Sequence, residues 1–207
     1  MKKLVLLAFL FLSFGTVHSQ DKLIKVSPFH FFDGTFNMSL EKSCEKSGYT
    51  INLSGGLHLV EESLYDMNNG NEEGATAEVQ LRKYVLNFKN SESKLSGVYV
   101  APYAKLSYFH MEDNYTDWYY EYDDAGNYID WSEDSYVNAS SKSGQAGVVM
   151  GVQYIMSDVL VFDFLLGGGV QYAVEAGNRK TDRYDGSFAR FYTGVLPKIC
   201  FNFGVKL

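Results

Sequence analysis

The stretch VLPKICFNFGVKL, residues 195–207, decides the fold. Its apolar side chains occupy every second position, from Ile199 through Phe203 to Leu207, and the positions between them are polar or small. Because a β-strand points successive side chains to opposite faces, the stretch predicts a strand with one apolar face. A tilted strand needs ~9–11 residues to cross a bilayer, and residues 199–207 supply nine. An apolar last strand must be paired or it becomes an exposed edge, so we expect it to close a small transmembrane β-barrel.

The beginning of the chain is interpreted as a secretory signal peptide, residues 1–19, which leaves residues 20–207 as one outer-membrane β-barrel domain. Lys2 and Lys3 precede an apolar core and a small-residue site, a segment too short and wrongly flanked to span a membrane as a helix. No later run approaches the ~18 apolar residues that a membrane helix needs. A mature protein in a membrane is therefore expected to be a closed barrel, since only helices and closed barrels satisfy every backbone group in lipid.

Composition narrows the classes of function. Removing Lys2 and Lys3 takes the formal charge from −7 to −9, and this acidic balance argues against nucleic acid as a partner. Aromatic residues make up 16% of the chain, which favours aromatic girdles at a membrane surface or a Tyr-rich soluble β domain. Cys44 and Cys200 fall too far apart along the predicted strands for a disulfide, which needs Cα atoms within about 7 Å.

Alternation recurs along the chain and predicts eight antiparallel strands. They span residues 22–29, 35–42, 49–60, 75–86, 96–110, 143–155, 159–173 and 188–207. The first is short and ends at Pro28, but without it the strand count would be odd, which bacterial barrels avoid. The short connections are 43–48, 87–95 and 156–158, and the long ones are 61–74, 111–142 and 174–187. Short periplasmic turns and long extracellular loops are typical of outer-membrane barrels.

Alternation alone does not say which face meets lipid, because a soluble lipocalin-like barrel has the same period with its apolar face inward. On the sixth and seventh predicted strands the polar face is rich in small or uncharged residues, including Gly147, Gly167 and Gln153. Small side chains suit the inside of a narrow eight-stranded tube. This face and the loop asymmetry favour a barrel in the outer membrane of a Gram-negative bacterium, exported through its signal peptide.

The segments LIKVSPFHFFDGTFNMSLEKS, GVYVAPYAKLSYF and VLPKICFNFGVKL resemble the small outer-membrane barrel family common in Bacteroidota, whose members are mostly uncharacterised outer-membrane β-barrel domain proteins. The resemblance spans nearly the whole mature chain, and its motifs are strand patterns rather than chemistry. It implies an outer-membrane location, contact with outer-membrane lipid, and assembly by the barrel-insertion machinery. The last residue of the family is typically aromatic, whereas this chain has Leu207.

The predicted inward face collects charged and titratable side chains of both signs. They are Glu41, His58, Glu78, Arg82, Lys105, Asp163, Arg190, Lys198 and Lys206. One interpretation is a narrow polar conduit for a small solute. The other is a structural network that plugs the lumen, because buried charges must be paired and an eight-stranded lumen is just wide enough for its own side chains. The plug is the favoured interpretation.

The predicted loop 111–142 carries nine carboxylates and no basic residue before Lys142. Its turn-forming residues 124–127 lead us to expect that the flanking strands run past the membrane into a hairpin. Exposed aromatic residues among carboxylates suit a glycan or a protein ligand, and the alternative is a solvated, variable barrel loop. The candidate contact residues are Tyr115, Trp118, Tyr120, Tyr122, Tyr128 and Trp131. The spacing matches no Ca²⁺ loop, so no metal or cofactor is expected.

A hydrolase at the outer rim is a further alternative, with His58 and Ser54 as its candidate pair. Four residues along one strand separate two side chains by about 13 Å at ~3.3 Å per residue, which is beyond hydrogen-bond reach. The sequence shows no zinc-ligand set, phosphate loop or nucleophile motif. The sequence therefore favours a non-enzymatic barrel with a structural or surface-interaction role.

Overall fold

The structure, a computed structural model, describes residues 22–44, 48–61, 71–88, 93–122, 128–178 and 192–207. For residues 61, 113–122, 128–135 and 137 it describes the backbone alone. The predicted signal peptide lies outside these ranges. In the part of the chain that the structure describes, no helix is long and apolar enough to cross a membrane.

Eight strands form a single antiparallel sheet that closes on itself. They are β1 (Lys22–Val26), β2 (Thr35–Cys44), β3 (Tyr49–Glu61), β4 (Asn71–Asn87), β5 (Gly97–Tyr122), β6 (Tyr128–Met156), β7 (Leu160–Gly177) and β8 (Gly194–Lys206). Each strand pairs with the next along the chain, and β1 also pairs with β8. The predicted eight-stranded barrel is confirmed, including the short first strand.

The bounds of several strands differ from the predicted ones. The first strand ends at Val26 instead of residue 29, and a 3₁₀ helix, Pro28–Asp33, follows it. Proline at the first helical position fixes φ and has no N–H to donate, so it starts this helix instead of continuing the strand. Gly34 ends the helix with φ 74°, a left-handed conformation that favours glycine. β8 is shorter than predicted and begins at Gly194, while β5 and β6 are much longer.

The two faces of each strand have opposite environments, as the alternation predicts. On β8, Phe201 and Phe203 each expose 38% of their surface outward, whereas Cys200 and Asn202 are buried in the lumen. The same outward exposure of apolar side chains recurs around the barrel. It includes Leu53, Val79, Leu81, Leu106, Val148, Met150, Phe164, Leu166 and Ile199. An apolar belt therefore covers the outside of the barrel.

The two ends of the barrel differ. The turn end carries the β2–β3, β4–β5 and β6–β7 connections together with the start of β1 and the end of β8. At the opposite, hairpin end, β4 pairs with β5 only as far as Glu112 and β7 pairs with β6 only as far as Ala139. The pairs from Asp113↔Val137 to Tyr122↔Tyr128 continue without a neighbour strand in the described residues. We call residues 113–122 and 128–137 the ribbon.

Candidate functional site in the barrel lumen

Near the turn end, five polar side chains meet in the lumen and form what we call the charge layer: Lys25, Glu41, Arg82, Gln153 and Asp163. None of them exposes more than 1% of its surface. The Lys25 ammonium donates to Glu41 Oε2 at 2.6 Å, to Gln153 Oε1 at 2.8 Å and to Asp163 Oδ2 at 3.0 Å. Its three donors are therefore all used, as burial of an ammonium requires.

The Arg82 guanidinium joins the same two carboxylates from β4. Its Nη1 lies 3.0 Å from both Glu41 Oε2 and Asp163 Oδ2. Its Nε donates to Gln80 Oε1 at 2.9 Å, and its Cζ lies 4.2 Å from the centroid of the Tyr99 ring. The layer thus holds two cations and two carboxylates, and this neutral pairing is what allows four charges to be buried together.

Two tyrosines and an apolar floor complete the turn end. Tyr84 Oη donates to Glu41 Oε1 at 2.8 Å, and Tyr99 Oη donates to Asp163 Oδ1 at 2.7 Å. Gln153 Nε2 donates to the Leu95 carbonyl at 2.8 Å, which attaches the β4–β5 connection to the charge layer. The floor is a cluster of buried apolar residues, namely Leu23, Leu95, Ile155 and Val161. Side chains therefore fill this half of the lumen.

Towards the hairpin end the lumen contains a cavity of about 300 Å³. Glu78, Lys105, Lys198 and Asn52 are among its lining residues. Lys198 Nζ donates to Glu78 Oε2 and lies 4.2 Å from the centroid of the Tyr103 ring. Lys105 forms no hydrogen bond or ion pair with any other residue that the structure describes. Asn52 is 3% exposed, and its Oδ1 has no hydrogen-bond partner among the described residues.

His58 lies apart from both groups, at the hairpin end. Its Nδ1 is 3.0 Å from Thr35 Oγ1, and its Nε2 is 3.6 Å from Glu72 Oε2. Its ring meets the Phe109 ring edge to face, with centroids 5.6 Å apart. The histidine therefore connects β2, β3, β4 and β5, and the candidate pair with Ser54 is not formed.

Sequence reasoning missed a cluster that joins the 3₁₀ helix to β8. Ser27 Oγ lies 2.7 Å from His30 Nδ1 and 3.1 Å from Cys200 Sγ, and it donates to the Phe201 carbonyl at 3.2 Å. The three side chains come from distant positions, so no spacing motif could reveal them. Cys200 and Cys44 form no disulfide in the structure, in agreement with the expectation.

The predicted lumen residues are divided among these groups. Glu41, Arg82 and Asp163 come together in the charge layer, whereas Glu78, Lys105 and Lys198 line the cavity. Lys206 lies at the turn end, where its backbone N–H donates to the Val159 carbonyl at 2.8 Å. Arg190 lies outside the described residues. Lys25 was not among the predicted lumen residues, since a five-residue strand gives too few alternations to orient its side chains.

All six candidate contact residues of the loop lie on the backbone of the ribbon. Tyr115, Trp118, Tyr120 and Tyr122 belong to β5, and Tyr128 and Trp131 belong to β6. In the ladder, Tyr122 is opposite Tyr128, and Tyr119 is opposite Trp131. The expected extension of the two flanking strands is confirmed, because their pairing continues to Tyr122↔Tyr128, within a few residues of the predicted turn. That turn, 124–127, lies outside the described residues.

Comparisons with known proteins leave the family open. No protein-family model matches the chain, and no curated protein sequence matches it. A solved structure, a major outer membrane protein from Thermus thermophilus, superposes with a TM-score of 0.46 at 15% identity, over 92% of this chain and 100% of that one.

Proposed function

We propose that the protein is a non-conducting barrel of a Gram-negative outer membrane that presents its ribbon as a contact surface for an extracellular glycan or protein. The observation that carries the proposal is the opposite character of the two strand faces. An apolar belt covers the outside, while the charge layer and the apolar floor fill the lumen at the turn end. A soluble barrel would bury the belt and expose the charges.

Exposed tyrosines support the position of the membrane. Tyr154 at the turn end and Tyr172 at the hairpin end are 49% and 62% exposed. Tyr154 is opposite Phe162 in the ladder, and Phe162 and Tyr172 lie ten residues apart on β7. At ~3.3 Å per residue and a tilt of ~40°, ten residues rise about 25 Å, the height of the apolar band between the aromatic girdles of such barrels.

The ribbon supports the contact role. Ten residue pairs at ~3.3 Å per residue extend about 33 Å along the strand direction beyond the neighbouring strands. Its twenty residues include six carboxylates, no basic residue, and aromatic residues on both strands. Charge of one sign keeps such an exposed two-stranded edge from pairing with copies of itself, and aromatic residues supply contact area to a ligand.

The experiment that tests this function removes the ribbon. A variant lacking residues 113–135 is expected to insert into vesicles as the intact protein does, but to lose binding to a glycan array and to surface proteins of the same organism. Protease applied to intact cells is expected to cut the full-length protein within the ribbon. Undiminished binding by the deletion variant would contradict the contact role, and a full-length protein that stays dissolved without detergent would contradict the membrane location.

A further inference from the structure

In the part of the chain that the structure describes, the strand pairing beside β8 is incomplete. β1 pairs with β8 only from Leu23↔Lys206 to Val26↔Phe203, whereas β7 pairs with β8 as far as Gln171↔Gly194. Among the described residues, 194–202 therefore have a strand neighbour on one side only, and the 3₁₀ helix Pro28–Asp33 contacts β8 on the other. We call this part of the wall, where residues 195–201 face the 3₁₀ helix instead of a strand, the lateral window.

The sequence of β8 fits an open edge at this place. The Leu207 N–H donates to the Lys22 carbonyl and the Lys206 N–H to the Val159 carbonyl, so odd-numbered residues turn their backbone groups towards β1. Pro197 is odd-numbered and has no N–H, so its position leaves no donor unsatisfied at the edge. Nearer the turn end on the same edge of β8, the Phe201 carbonyl accepts a hydrogen bond from Ser27 Oγ. These features suit an edge that no further strand covers in the described ranges.

The lining of the cavity extends to the window. Its lining includes Phe29, Pro197 and Ile199, although Phe29 and Ile199 expose 54% and 59% of their surface on the outside of the barrel. The 3₁₀ helix also exposes Phe31 and Phe32 there, at 52% and 91%. One space is thus bordered by apolar side chains at the level of the belt and by polar side chains in the lumen.

The charges of the cavity define the group that fits inside it. Among its charged side chains, Glu78 is paired with Lys198, and Asp33 accepts the Thr35 N–H at 3.1 Å. Lys105 is the charged lining residue without a hydrogen bond or ion pair in the described part of the chain. An ammonium that is not paired in a partly enclosed site favours an anion. A volume of about 300 Å³ suits a head group rather than a whole lipid.

We propose that the lateral window admits a single-chain lipid with an anionic head group from the membrane, whose head pairs with Lys105 while its tail remains among the apolar side chains of the window. Lys105 is then a binding residue, and Ile199 and Phe29 border the path of the tail. This inference rests on the membrane location of the proposed function, because only a barrel in lipid meets such a ligand from the side.

The test uses the full-length mature barrel in phosphatidylcholine nanodiscs and palmitate that carries an isotope label at its carboxyl carbon. Binding is expected as a second carboxyl resonance, absent from empty nanodiscs. Lys105→Gln is expected to weaken binding about tenfold or more, the loss of one charge-assisted hydrogen bond. Lys142→Gln, at an exposed position on β6, is the matched control and is expected to leave binding unchanged. Equal loss in both variants would overturn the role of Lys105.

The window is tested separately from the head-group site. Ile199→Trp is expected to slow binding about tenfold by obstructing the window, whereas Val205→Trp, on the same outward row but paired with Ile24 of β1, is expected to have no effect. Labelled butyrate, which has the same head and no long tail, is expected not to bind. Binding of butyrate as tight as that of palmitate, or equal rates in the two Trp variants, would overturn entry from the membrane.

Two measurements on the same samples separate the lipid site from the membrane location. Each sample is first examined for β-sheet circular dichroism and for retention in the nanodisc. A folded, membrane-embedded barrel that gives no second resonance contradicts the lipid site alone. A barrel that leaves the nanodisc as a soluble protein contradicts the membrane location.

Discussion

The two halves of the lumen are built on the same strand pattern and have opposite properties. At the turn end, no residue of the charge layer exposes more than 1% of its surface, while at the hairpin end polar side chains surround a cavity. The difference comes from side-chain reach: Lys25 and Arg82 extend across the lumen and satisfy two carboxylates from other strands. Around the cavity, Glu78 and Lys198 pair with each other, and Lys105 has no hydrogen bond or ion pair with a described residue. Paired charges thus fill the turn-end half of the lumen, while the hairpin-end half keeps a cavity with one ammonium, Lys105, that is not paired among the described residues.

The largest expected effect is that of Arg82→Ala in the charge layer. The substitution leaves two buried carboxylates with one cation, so the free energy of unfolding is expected to fall by about 3–5 kcal/mol. Urea unfolding in phospholipid vesicles, followed by circular dichroism, measures it. Lys142→Ala at an exposed position is the control and is expected to change stability by less than about 0.5 kcal/mol. If Arg82→Ala also lowered the free energy of unfolding by less than about 0.5 kcal/mol, the buried ion pairs would not be what stabilises the turn end.

A smaller effect is expected at Gly151, which packs against Tyr99 of the filled half. A Cβ at this position would lie 2.4 Å from the Tyr99 ring and 2.7 Å from the Phe164 carbonyl oxygen. Gly151→Ala is therefore expected to cost about 1–3 kcal/mol of unfolding free energy through overpacking. Gly55→Ala is the comparison, because its Cβ would meet nothing closer than 3.9 Å. If both variants unfold at the same urea concentration, the turn end is less tightly packed than the structure indicates.

The smallest effect is expected in the hollow half. Glu78→Gln removes the partner of Lys198, but the cavity provides space for water or a rearranged side chain beside both groups, so a loss of about 1 kcal/mol is expected. A double-mutant cycle with Lys198→Gln isolates the pair and is expected to give a coupling energy below that of the Arg82–Glu41 pair. A larger coupling energy for the Glu78–Lys198 pair than for the Arg82–Glu41 pair would contradict the difference between the filled and the hollow half of the lumen.

Much of the fold could be predicted because strand alternation is a local property. The β8 pattern at 199–207 alone indicates one outward apolar face, and the structure places Phe201 and Phe203 there. The lumen was harder to predict, since contacts such as Lys25 with Asp163 depend on which strands close the ring and on their register. The first strand was predicted to end at residue 29, three residues too late, and no sequence signal indicated the 3₁₀ helix Pro28–Asp33 that follows it. The lateral window exists because the short first strand pairs with only four residues of β8. No residue pattern in the sequence predicts it.

The measurement that tests the central claim most directly is the conductance of the purified, intact barrel in a planar lipid bilayer. The charge layer and the apolar floor close the turn end, so the expected result is insertion without a steady ionic current at any moderate voltage. Insertion is confirmed in the same preparation by protection of the strands from protease in vesicles. Steady, reproducible channels from the inserted protein would contradict a lumen closed by buried charge pairs.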